Sequence, residues 1–292
     1  MHYKSSIPRK IFVVFNTCFI AFACVICLYP LINTLAVSLS SKAASESGVV
    51  TIFPVDFQLD AYSFLVEKPE FLRAFWVSVK RVVLAVAIQL TTTILTAYPM
   101  SKSVDRFPHK NKFMWMYVVT MLFGGGLIPT YLVVNATGIM NTMLAFILPG
   151  ALPVYNMILL QNYFKSLPEE LYDSARIDGA GEWLTLFRIF LPLSKPMLAT
   201  ITLYIMVGHW NSWFDGMLYM NRAEKYPLQT YLRSIVINLD SAQITDLNQV
   251  MSISAQNNKS AQIIAAMIPI LCVYPFIQKY FVKGTILGAV KG

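Results

Sequence analysis

Charged residues are scarce in this sequence. Only 13% of its 292 residues are charged, whereas 56% are hydrophobic. An average soluble domain carries about a quarter charged residues. The composition therefore excludes an ordinary soluble protein and predicts an integral membrane protein, for which lipid is the main solvent.

The residues and motifs of enzyme sites are also rare. The chain has three histidines, His2, His109 and His209, and no H-E-x-x-H or similar metal-ligand spacing. A serine–histidine dyad within the membrane would need His209 beside a serine of another span, and no feature of the sequence supports one. No G-x-x-x-x-G-K-[ST] phosphate loop is present. The sequence predicts no catalytic residue, no metal site and no cofactor in this chain.

The few cysteines do not form a disulfide or metal framework. All four lie within apolar runs: Cys18, Cys24, Cys27 and Cys272. Cys24 and Cys27 make a C-x-x-C pattern, but no second pair accompanies it. We interpret the cysteines as small buried apolar side chains.

Long hydrophobic runs are what the sequence has in abundance. Six of them can cross about 30 Å of hydrocarbon as a helix, which takes about 20 residues. They lie near 11–37, 76–98, 113–134, 140–163, 195–219 and 261–282. The first is about twice as long as the apolar region of a signal peptide, so we interpret it as an uncleaved span. The predicted fold class is an all-α integral membrane protein with six transmembrane helices.

Lysine and arginine are distributed unequally between the two sides of this predicted bundle. The two termini, the loop 99–112 and the segment 164–195 hold 14 of the 23 basic residues. The longer loops of the other side hold nine, with Lys80 and Arg81 counted at the outer end of the second span. The positive-inside rule then places both termini and the segment 164–195 in the cytoplasm. The net charge of +8 reflects this topology, and no nucleic-acid partner is expected.

Glycine and proline interrupt several predicted spans. The breaking residues are Gly124–Gly126 with Pro129, Pro149 and Gly150 with Pro153, and Pro269 with Pro275. Two interpretations are open: kinked helices that line a pathway, where neighbours or water satisfy the freed backbone groups, or simple packing of residues that are common in membrane helices.

The fifth span ends in the sequence GHWNSWFDGMLYM, which concentrates aromatic and polar side chains. His209 and Trp213 are four residues apart, as are Asn211 and Asp215, so each pair is expected on one helix face. Together with Trp210 they are candidates for a substrate pathway, with rings that could stack on sugars and an amide for hydroxyl groups. The alternative is an interfacial aromatic belt. Asp215 is costly there unless it faces protein or water.

The segment Ser166–Pro196 carries charge within an otherwise apolar chain and has helix signals of its own. Ser166 and Glu169 make a capping-box pattern with Pro168 in the first turn. Gly179 is the residue type expected just past the helix end. The sequence therefore predicts a helix from about Glu169 to Ile177.

Both helices of this segment are predicted to be two-faced. The first has a polar face of Glu169, Asp173 and Arg176, and an opposite face of Leu171 and Ala175. A second helix is predicted from about Gly181 to Leu191, broken by Pro192. Its apolar face, suited to the membrane interface, is Trp183, Phe187 and Phe190, and its polar face is Glu182, Thr185 and Arg188. A docking element in the cytoplasm is one interpretation, and an ordinary amphipathic loop helix is the other.

The run DSARIDGA (173–180), followed by Leu191-Pro192 and Pro196, resembles the EAA signature of ABC-importer inner-membrane permease subunits. The closest likeness is to the carbohydrate-importer branch, the maltose-type second permease, and within it to permeases for complex or acidic oligosaccharides. GGGLIPTYLVV, WNSWFDGMLY and the terminal GAVKG support this likeness. Asp173-Ser174-Ala175 departs from the Glu-Ala-Ala of the signature, which leaves open what residue 173 contacts.

The resemblance implies a type I ABC importer permease fold in the bacterial inner membrane. It implies a second homologous permease subunit, two ATP-binding cassette subunits that bind ATP and Mg, an extracytoplasmic solute-binding protein and a carbohydrate substrate. Residues 1–75 would form the tail, first span and outer loop, and 76–292 the core with a coupling helix near 166–192. The implied ATPase-coupling residues are Glu169, Glu170, Asp173, Ser174, Ala175, Arg176, Asp178, Gly179 and Ala180, and the implied contacting tail is Val290, Lys291 and Gly292.

Two other functions are compatible with six spans. A secondary transporter would need an intramembrane acid for its coupling ion, for which Asp215 is the candidate. A membrane-embedded enzyme would need a polar constellation that the sequence lacks.

Overall fold

The computed structural model describes residues 7–240 and 256–289, with the backbone alone for 235–240, 274 and 276–289. The first half of the chain forms α1 (Ile7–Ser38), α2 (Lys42–Glu46), α3 (Asp60–Glu67), α4 (Pro69–Ser101), α5 (Lys110–Leu122), α6 (Leu127–Ala136) and α7 (Leu144–Ile147). The second half forms α8 (Val154–Ser166), α9 (Glu170–Ile177), α10 (Glu182–Thr185), α11 (Leu191–Leu193), α12 (Lys195–Asn211), α13 (Phe214–Tyr219), α14 (Leu228–Asp240) and α15 (Gln256–Ala289). The described residues are helical with connecting turns, as predicted.

The chain divides into two compact units. One comprises the chain up to Pro69 together with Val236–Ile268. Within it, Ala36, Val37, Ala44 and Val50 form a small apolar cluster at the end of α1. The rest of α1 exposes its apolar side chains, with none of its most hydrophobic window buried. Since lipid is an apolar solvent, such a surface suits a membrane span.

The cysteines lie on exposed surfaces. Cys18, Cys24, Cys27 and Cys272 are all exposed and none forms a disulfide. The prediction that they are buried is therefore wrong. An apolar residue of a membrane helix need not enter a protein core, because lipid can take the place of the core.

The second unit comprises Glu70–Ile235 together with Pro269–Gly292. Its core is built mainly from α4, α7, α8 and α12, with fully buried residues such as Ala85, Ile147, Leu160 and Ile201. The functional residues described below all belong to this unit.

Several of the predicted spans are bent rather than straight. Helices α5 and α6 meet at 111°, the helical segments 144–150 and 154–166 at 53°, and the segments 182–193 and 195–211 at 81°. Within the described residues, one helix, Ile7–Ser38, is long and apolar enough to cross a membrane by itself, and up to four spans result if each bent pair counts as one.

Backbone breaks occur at two of the three places where glycine and proline predicted them. The third prediction is wrong, because α15 continues without interruption through Pro269 and Pro275. Gly126 precedes α6 with φ +83°, a value that glycine adopts without strain. Leu148–Gly150 is a turn of 3₁₀ helix, and Pro153 caps α8. Side chains of α4 bond to the carbonyls released at this second break: Gln89 Nε2 donates to Gly150 at 2.9 Å and Thr92 Oγ1 to Ala151 at 2.6 Å. A neighbouring helix thus satisfies freed backbone groups, as membrane burial requires.

Candidate functional site

An open cavity of about 630 Å³ with a mixed polar and apolar lining lies within the second unit, between α4, α8 and α12. Its size falls in the range of small-molecule pockets. The break at Gly150 and Pro153 forms part of its wall, so this break lines a cavity in addition to packing. The polar side chains that line it are Arg81, Gln89, Asn156, His209, Ser212 and Asp215.

An ion pair between Arg81 and Asp215 crosses the cavity wall. Arg81 Nη1 donates to Asp215 Oδ1 at 3.1 Å, and Arg81 Nη2 forms a second, shorter contact with Oδ2. The Arg81 side chain is 2% exposed and that of Asp215 22%. Parallel N–H···O contacts of this kind are the strong form of an arginine–carboxylate pair. The guanidinium also lies 4.5 Å from the centre of the Phe146 ring.

The break between α12 and α13 places Asp215 within hydrogen-bonding distance of Arg81. Helix α12 ends at Asn211 and α13 begins at Phe214, with Ser212 in an extended conformation. Asp215 Oδ1 accepts hydrogen bonds from Ser212 Oγ at 2.8 Å and from the Gly216 N–H at 2.9 Å. The chain therefore turns out of the helical path so that the carboxylate faces protein.

His209 bridges Arg81 to a second polar residue of α4. Arg81 Nε donates to His209 Nδ1 at 3.3 Å. His209 Nε2 lies 3.0 Å from Gln89 Nε2. The ring is thus held between two residues eight positions apart on α4, which lie on one face of that helix.

The predicted substrate-pathway residues separate into two groups. His209 and Asp215 line the cavity, whereas Trp210 is 5% exposed and packs edge-on against Phe75 at 5.8 Å. Trp213 contacts Phe214 and lies below Arg233, and Asn211 is exposed. The prediction of shared faces assumed an unbroken helix through residue 215 and is wrong, because the helix ends at Asn211.

Helix α9 ends as its sequence predicts. Gly179 has φ +78°, its N–H donates to the Arg176 carbonyl at 3.0 Å, and the Ala180 N–H donates to the Ala175 carbonyl at 2.9 Å. This pair of bonds is the Schellman motif, which requires a left-handed residue where Gly179 lies. A side chain at Gly179 would meet no atom within 4 Å, so the backbone and not space restricts this position.

The start of α9 differs from the prediction. Ser166 is the last residue of α8, and its hydroxyl donates to the Tyr163 carbonyl at 2.7 Å. Glu169 occupies the N-cap position without a side-chain cap. The predicted capping box is therefore wrong, because Leu167 and Pro168 are needed to connect two helices. Glu170 and Asp173 still place negative charge in the first turn, where the helix dipole favours it.

The buried face of α9 is centred on Tyr172, which the pattern of polar residues in the sequence did not indicate. Tyr172 and Ala175 are both 4% exposed, whereas Ile177 at the tip is 86% exposed. Asp173 Oδ1 accepts a 2.7 Å hydrogen bond from Arg106 Nη2. Arg106 in turn lies 4.2 Å from the centre of the Tyr172 ring. Asp173, which stands where the signature has glutamate, thus pairs with Arg106 in the loop after α4. Ser174, the other residue that departs from the signature, donates from Oγ to the Leu171 carbonyl.

Lys102 connects α9 to the end of α4. Its Nζ lies 3.6 Å from the centre of the Tyr172 ring, 3.9 Å from Tyr98 and 4.9 Å from Phe190. Glu182 Oε2 is 3.5 Å away, and this carboxylate also accepts hydrogen bonds from the hydroxyls of Tyr98 and Tyr172. We call Tyr98, Lys102, Tyr172, Glu182 and Phe190 the lysine cage.

Burial changes the acidity of the charged members of the lysine cage. It lowers the pKa of Lys102 to about 8, although the Glu182 carboxylate opposes this. Burial alone raises the pKa of Glu182, but hydrogen bonds from Tyr172 and Tyr98 and the charge of Lys102 outweigh it, so the net pKa is lower than usual. The lysine cage therefore holds an ionised carboxylate and a lysine whose pKa, about 8, lies well below its usual value.

This titration predicts a pH dependence of stability. The folded-state pKa of Lys102, about 8, is below its ordinary 10.5, so between these values the unfolded chain binds more protons. Stability should therefore rise with pH in this window, by at most about 1.4 kcal/mol per pH unit. Thermal unfolding from pH 7.5 to 10 measures the rise, and Lys102→Arg, which stays charged, should lack it. Equal slopes in the two proteins would contradict the assignment.

The second helix of the segment differs from its predicted form. It continues from Glu182 to Leu193, because a π turn at Leu186–Phe190 lets the Leu191 N–H donate to the Leu186 carbonyl. The break comes at Ser194, not at Pro192. The π turn also rotates the faces. Trp183 and Phe187 stack on one exposed face, as predicted. Phe190 is instead buried against Tyr98 and Phe164, and Thr185 of the predicted polar face is buried, so these two residues are wrongly placed by the prediction.

Helix α4 links the two sites. It carries Arg81 and Gln89 in the cavity wall and Tyr98 near its C-terminal end, in the lysine cage. Arg81 was counted among outer-loop charges, yet it is 1% exposed inside α4. A charge at the edge of an apolar run was the available signal, since such residues pair inside membranes, but the adjacent Lys80 carries the same charge and is exposed. Gln89, Lys102 and Tyr172 had no sequence signal, because their roles depend on partners far away in the chain.

The comparisons place the whole chain among transport proteins. Residues 3–286 match the family described as binding-protein-dependent transport system inner membrane component. The chain is 41% identical over 284 residues to protein LplC of Bacillus subtilis (strain 168), which covers 97% of this chain and 96% of LplC. It is 39% identical over 279 residues to the polygalacturonan/rhamnogalacturonan transport system permease protein YtcP of the same organism, covering 94% and 96%.

Two solved structures have the same fold. One is a chain of a bacterial ABC transporter involved in the import of the acidic polysaccharide alginate, with a TM-score of 0.87 and 30% identity, covering 96% of this chain and 99% of that one. The other belongs to the bacterial alginate ABC transporter in complex with alginate pentasaccharide-bound periplasmic protein. Its TM-score is 0.55 at 14% identity, covering 93% and 96%, and it supports the fold alone.

Proposed function

Because this chain belongs to the family of binding-protein-dependent transport system inner membrane components, we propose that it is one permease subunit of an ATP-driven oligosaccharide importer. The family is one of transport components and not of enzymes. The observation that carries the proposal is that one helix, α4, both lines the cavity and ends beside the lysine cage that holds α9. The substrate class follows from relatives named for polygalacturonan, rhamnogalacturonan and alginate.

The importer contains further subunits. A second homologous permease completes the pathway, two ATP-binding cassette subunits bind ATP and Mg, and an extracytoplasmic binding protein delivers the sugar. The chain crosses the membrane six times with both termini in the cytoplasm, which the lysine and arginine distribution favours. No cofactor is bound by this chain.

Helix α9 is the coupling helix of this proposal. Its exposed residues Glu169, Glu170, Ser174, Arg176 and Asp178 enter a cleft of the ATPase, whereas Ala175 and Asp173 face this subunit. Closure of the ATPase dimer moves α9, and the lysine cage transmits the movement to α4. The predicted tail contacts, Val290, Lys291 and Gly292, lie outside the described residues.

Reconstitution tests the function directly. The complete importer in proteoliposomes should take up labelled oligogalacturonide only when ATP and the loaded binding protein are both supplied. A secondary transporter would instead continue without ATP and stop when an uncoupler collapses the ion gradient. The pairing of Asp215 with Arg81 favours the first outcome, because the candidate coupling acid is already neutralised.

A further inference from the structure

The helical segment 182–193 turns away from the helix that follows it. Its axis makes an angle of 81° with that of α12. Transmembrane helices tilt from the bilayer normal by about 20° on average. Because α12 belongs to one of the proposed spans, the segment 182–193 lies within about 30° of the membrane plane. We call this segment the transverse helix.

The transverse helix exposes an aromatic patch. Trp183 and Phe187 stack with their ring centres 6.1 Å apart and an interplanar angle of 17°, and they are 65% and 56% exposed. Leu184 beside them is 44% exposed. Leu186 and Phe190 of the same helix are instead buried in the core of the second unit. The transverse helix thus packs one apolar side against protein and presents another to its surroundings.

The exposed side of the transverse helix also carries a positive charge. After Glu182 its sequence contains one charged residue, Arg188, which is exposed. Among the side chains that the structure describes, no carboxylate forms a salt bridge with Arg188. The Glu182 carboxylate accepts hydrogen bonds from Tyr98 and Tyr172. The patch therefore combines aromatic rings with a cation that is free to meet an anion.

This combination favours a lipid surface over a protein partner. A protein interface surrounds its apolar centre with a polar rim and forms about one hydrogen bond per 100–200 Å². Around the stacked rings, Leu184 and Leu193 add only apolar surface, and both are exposed. Bulky apolar side chains beside a cation are typical of amphipathic helices that lie in the plane of a membrane, where tryptophan is enriched at the headgroup level.

We propose that the transverse helix is an interfacial anchor that binds acidic phospholipids of the cytoplasmic leaflet, with Trp183 and Phe187 among the acyl chains and Arg188 at the lipid phosphates. The inference rests on the proposed function and topology, and it adds a lipid partner to them. The Tyr172 hydroxyl of α9 donates to Glu182 at the start of the transverse helix. The anchor therefore also fixes the position of α9 relative to the membrane surface.

Fluorescence quenching locates Trp183 in the bilayer. The complete importer is placed in nanodiscs whose lipids carry bromine near the headgroup end or near the methyl end of their acyl chains. Emission from Trp183→Phe is subtracted from that of wild type, so the difference signal reports Trp183 alone. We expect the bromines near the headgroups to quench this signal more strongly than those near the methyl ends.

Two results of this measurement would overturn the proposal. An unquenched difference signal would mean that protein, such as a second permease or an ATPase subunit, covers the ring. Stronger quenching by the bromines near the methyl ends would place the ring in the middle of the bilayer. Trp183→Phe keeps an aromatic side chain at an exposed position, so the variant should fold.

Lipid charge tests the role of Arg188. At equal mole fraction, brominated phosphatidylglycerol should quench the difference signal more than brominated phosphatidylcholine, because one surface cation enriches an anionic lipid locally by about fivefold. Arg188→Gln, paired with its own Trp183→Phe derivative, should lose this preference. Lys112→Gln, treated in the same way, is the matched control, since Lys112 is an exposed cation on the same predicted side of the membrane.

The controls separate this proposal from the proposed function. Equal quenching by the two lipids in wild type, or a preference that survives Arg188→Gln, would overturn the assignment of the lipid phosphates to Arg188. Loss of the preference in Lys112→Gln as well would attribute it to the overall charge of the subunit, which contradicts the proposal too. Failure of ATP-dependent uptake by a wild-type importer that shows the expected quenching would instead refute the proposed function.

Discussion

Replacing Arg81 with leucine is expected to destabilise this subunit by about 3–5 kcal/mol and to abolish transport. The substitution leaves Asp215 partly buried without its counter-ion, and it removes the bond that orients His209. Loss of one partner costs far more than the net value of the pair, because the remaining charge keeps its desolvation penalty. The measurement is thermal unfolding of the purified importer, together with the amount of subunit in the membrane.

Two further variants test whether the loss of stability comes from breaking the Arg81–Asp215 ion pair. Lys80→Leu removes the same charge at the neighbouring, exposed position of α4 and should change stability by less than about 0.5 kcal/mol. The double variant Arg81→Leu with Asp215→Leu should recover most of the stability, since apolar replacement of a whole buried pair is often neutral. If Arg81→Leu is as stable as Lys80→Leu, the ion pair does not hold α4 to the α12–α13 break.

Valine at Gly179 is expected to reduce uptake about 5- to 150-fold while the protein still inserts in the membrane. The φ of +78° disfavours a β-branched residue by about 1–3 kcal/mol, so the chain leaving α9 must take another path. The exposed tip of α9 would then be presented differently to its partner. The measurements are ATP-dependent uptake and sugar-stimulated ATPase activity of the reconstituted importer.

Gly181 supplies the matched control for this variant. It lies two residues further on, has φ −72°, and a side chain there would also meet nothing within 4 Å. Gly181→Val therefore adds the same bulk without backbone strain and should transport normally. Normal uptake and normal stimulation of ATPase activity in Gly179→Val would contradict the role of this turn in coupling.

The two sites have a physical connection through α4. An interaction at Arg81 or Gln89 acts on the same continuous helix that ends beside the lysine cage. Packed helices transmit displacement because their interiors are close-packed and resist compression. A movement of α9 therefore has a direct route to the cavity wall, through Tyr172, Lys102 and Tyr98.

Local features of the sequence were predictable to a large extent. Glycine and proline placed the breaks near residues 126 and 150, and Gly179 placed the end of α9, because backbone φ and missing N–H groups are local properties. Helix faces were predicted less well. The capping box at Ser166 and the placement of Phe190 and Thr185 in the helix after Gly181 were wrong, since the connection to α8 and the π turn depend on tertiary packing.

By itself, then, the sequence determined the membrane environment, the all-helical class, the family signature near 173–196 and the position of the turn at Gly179. These follow from composition, periodicity and single residues with special backbone preferences. Tertiary structure alone decided that Arg81 meets Asp215, that Lys102 lies among three aromatic rings, and that Asn156 faces a cavity. Pairs separated by 134 residues along the chain have no local signal, because their interaction energy exists only after the helices have packed.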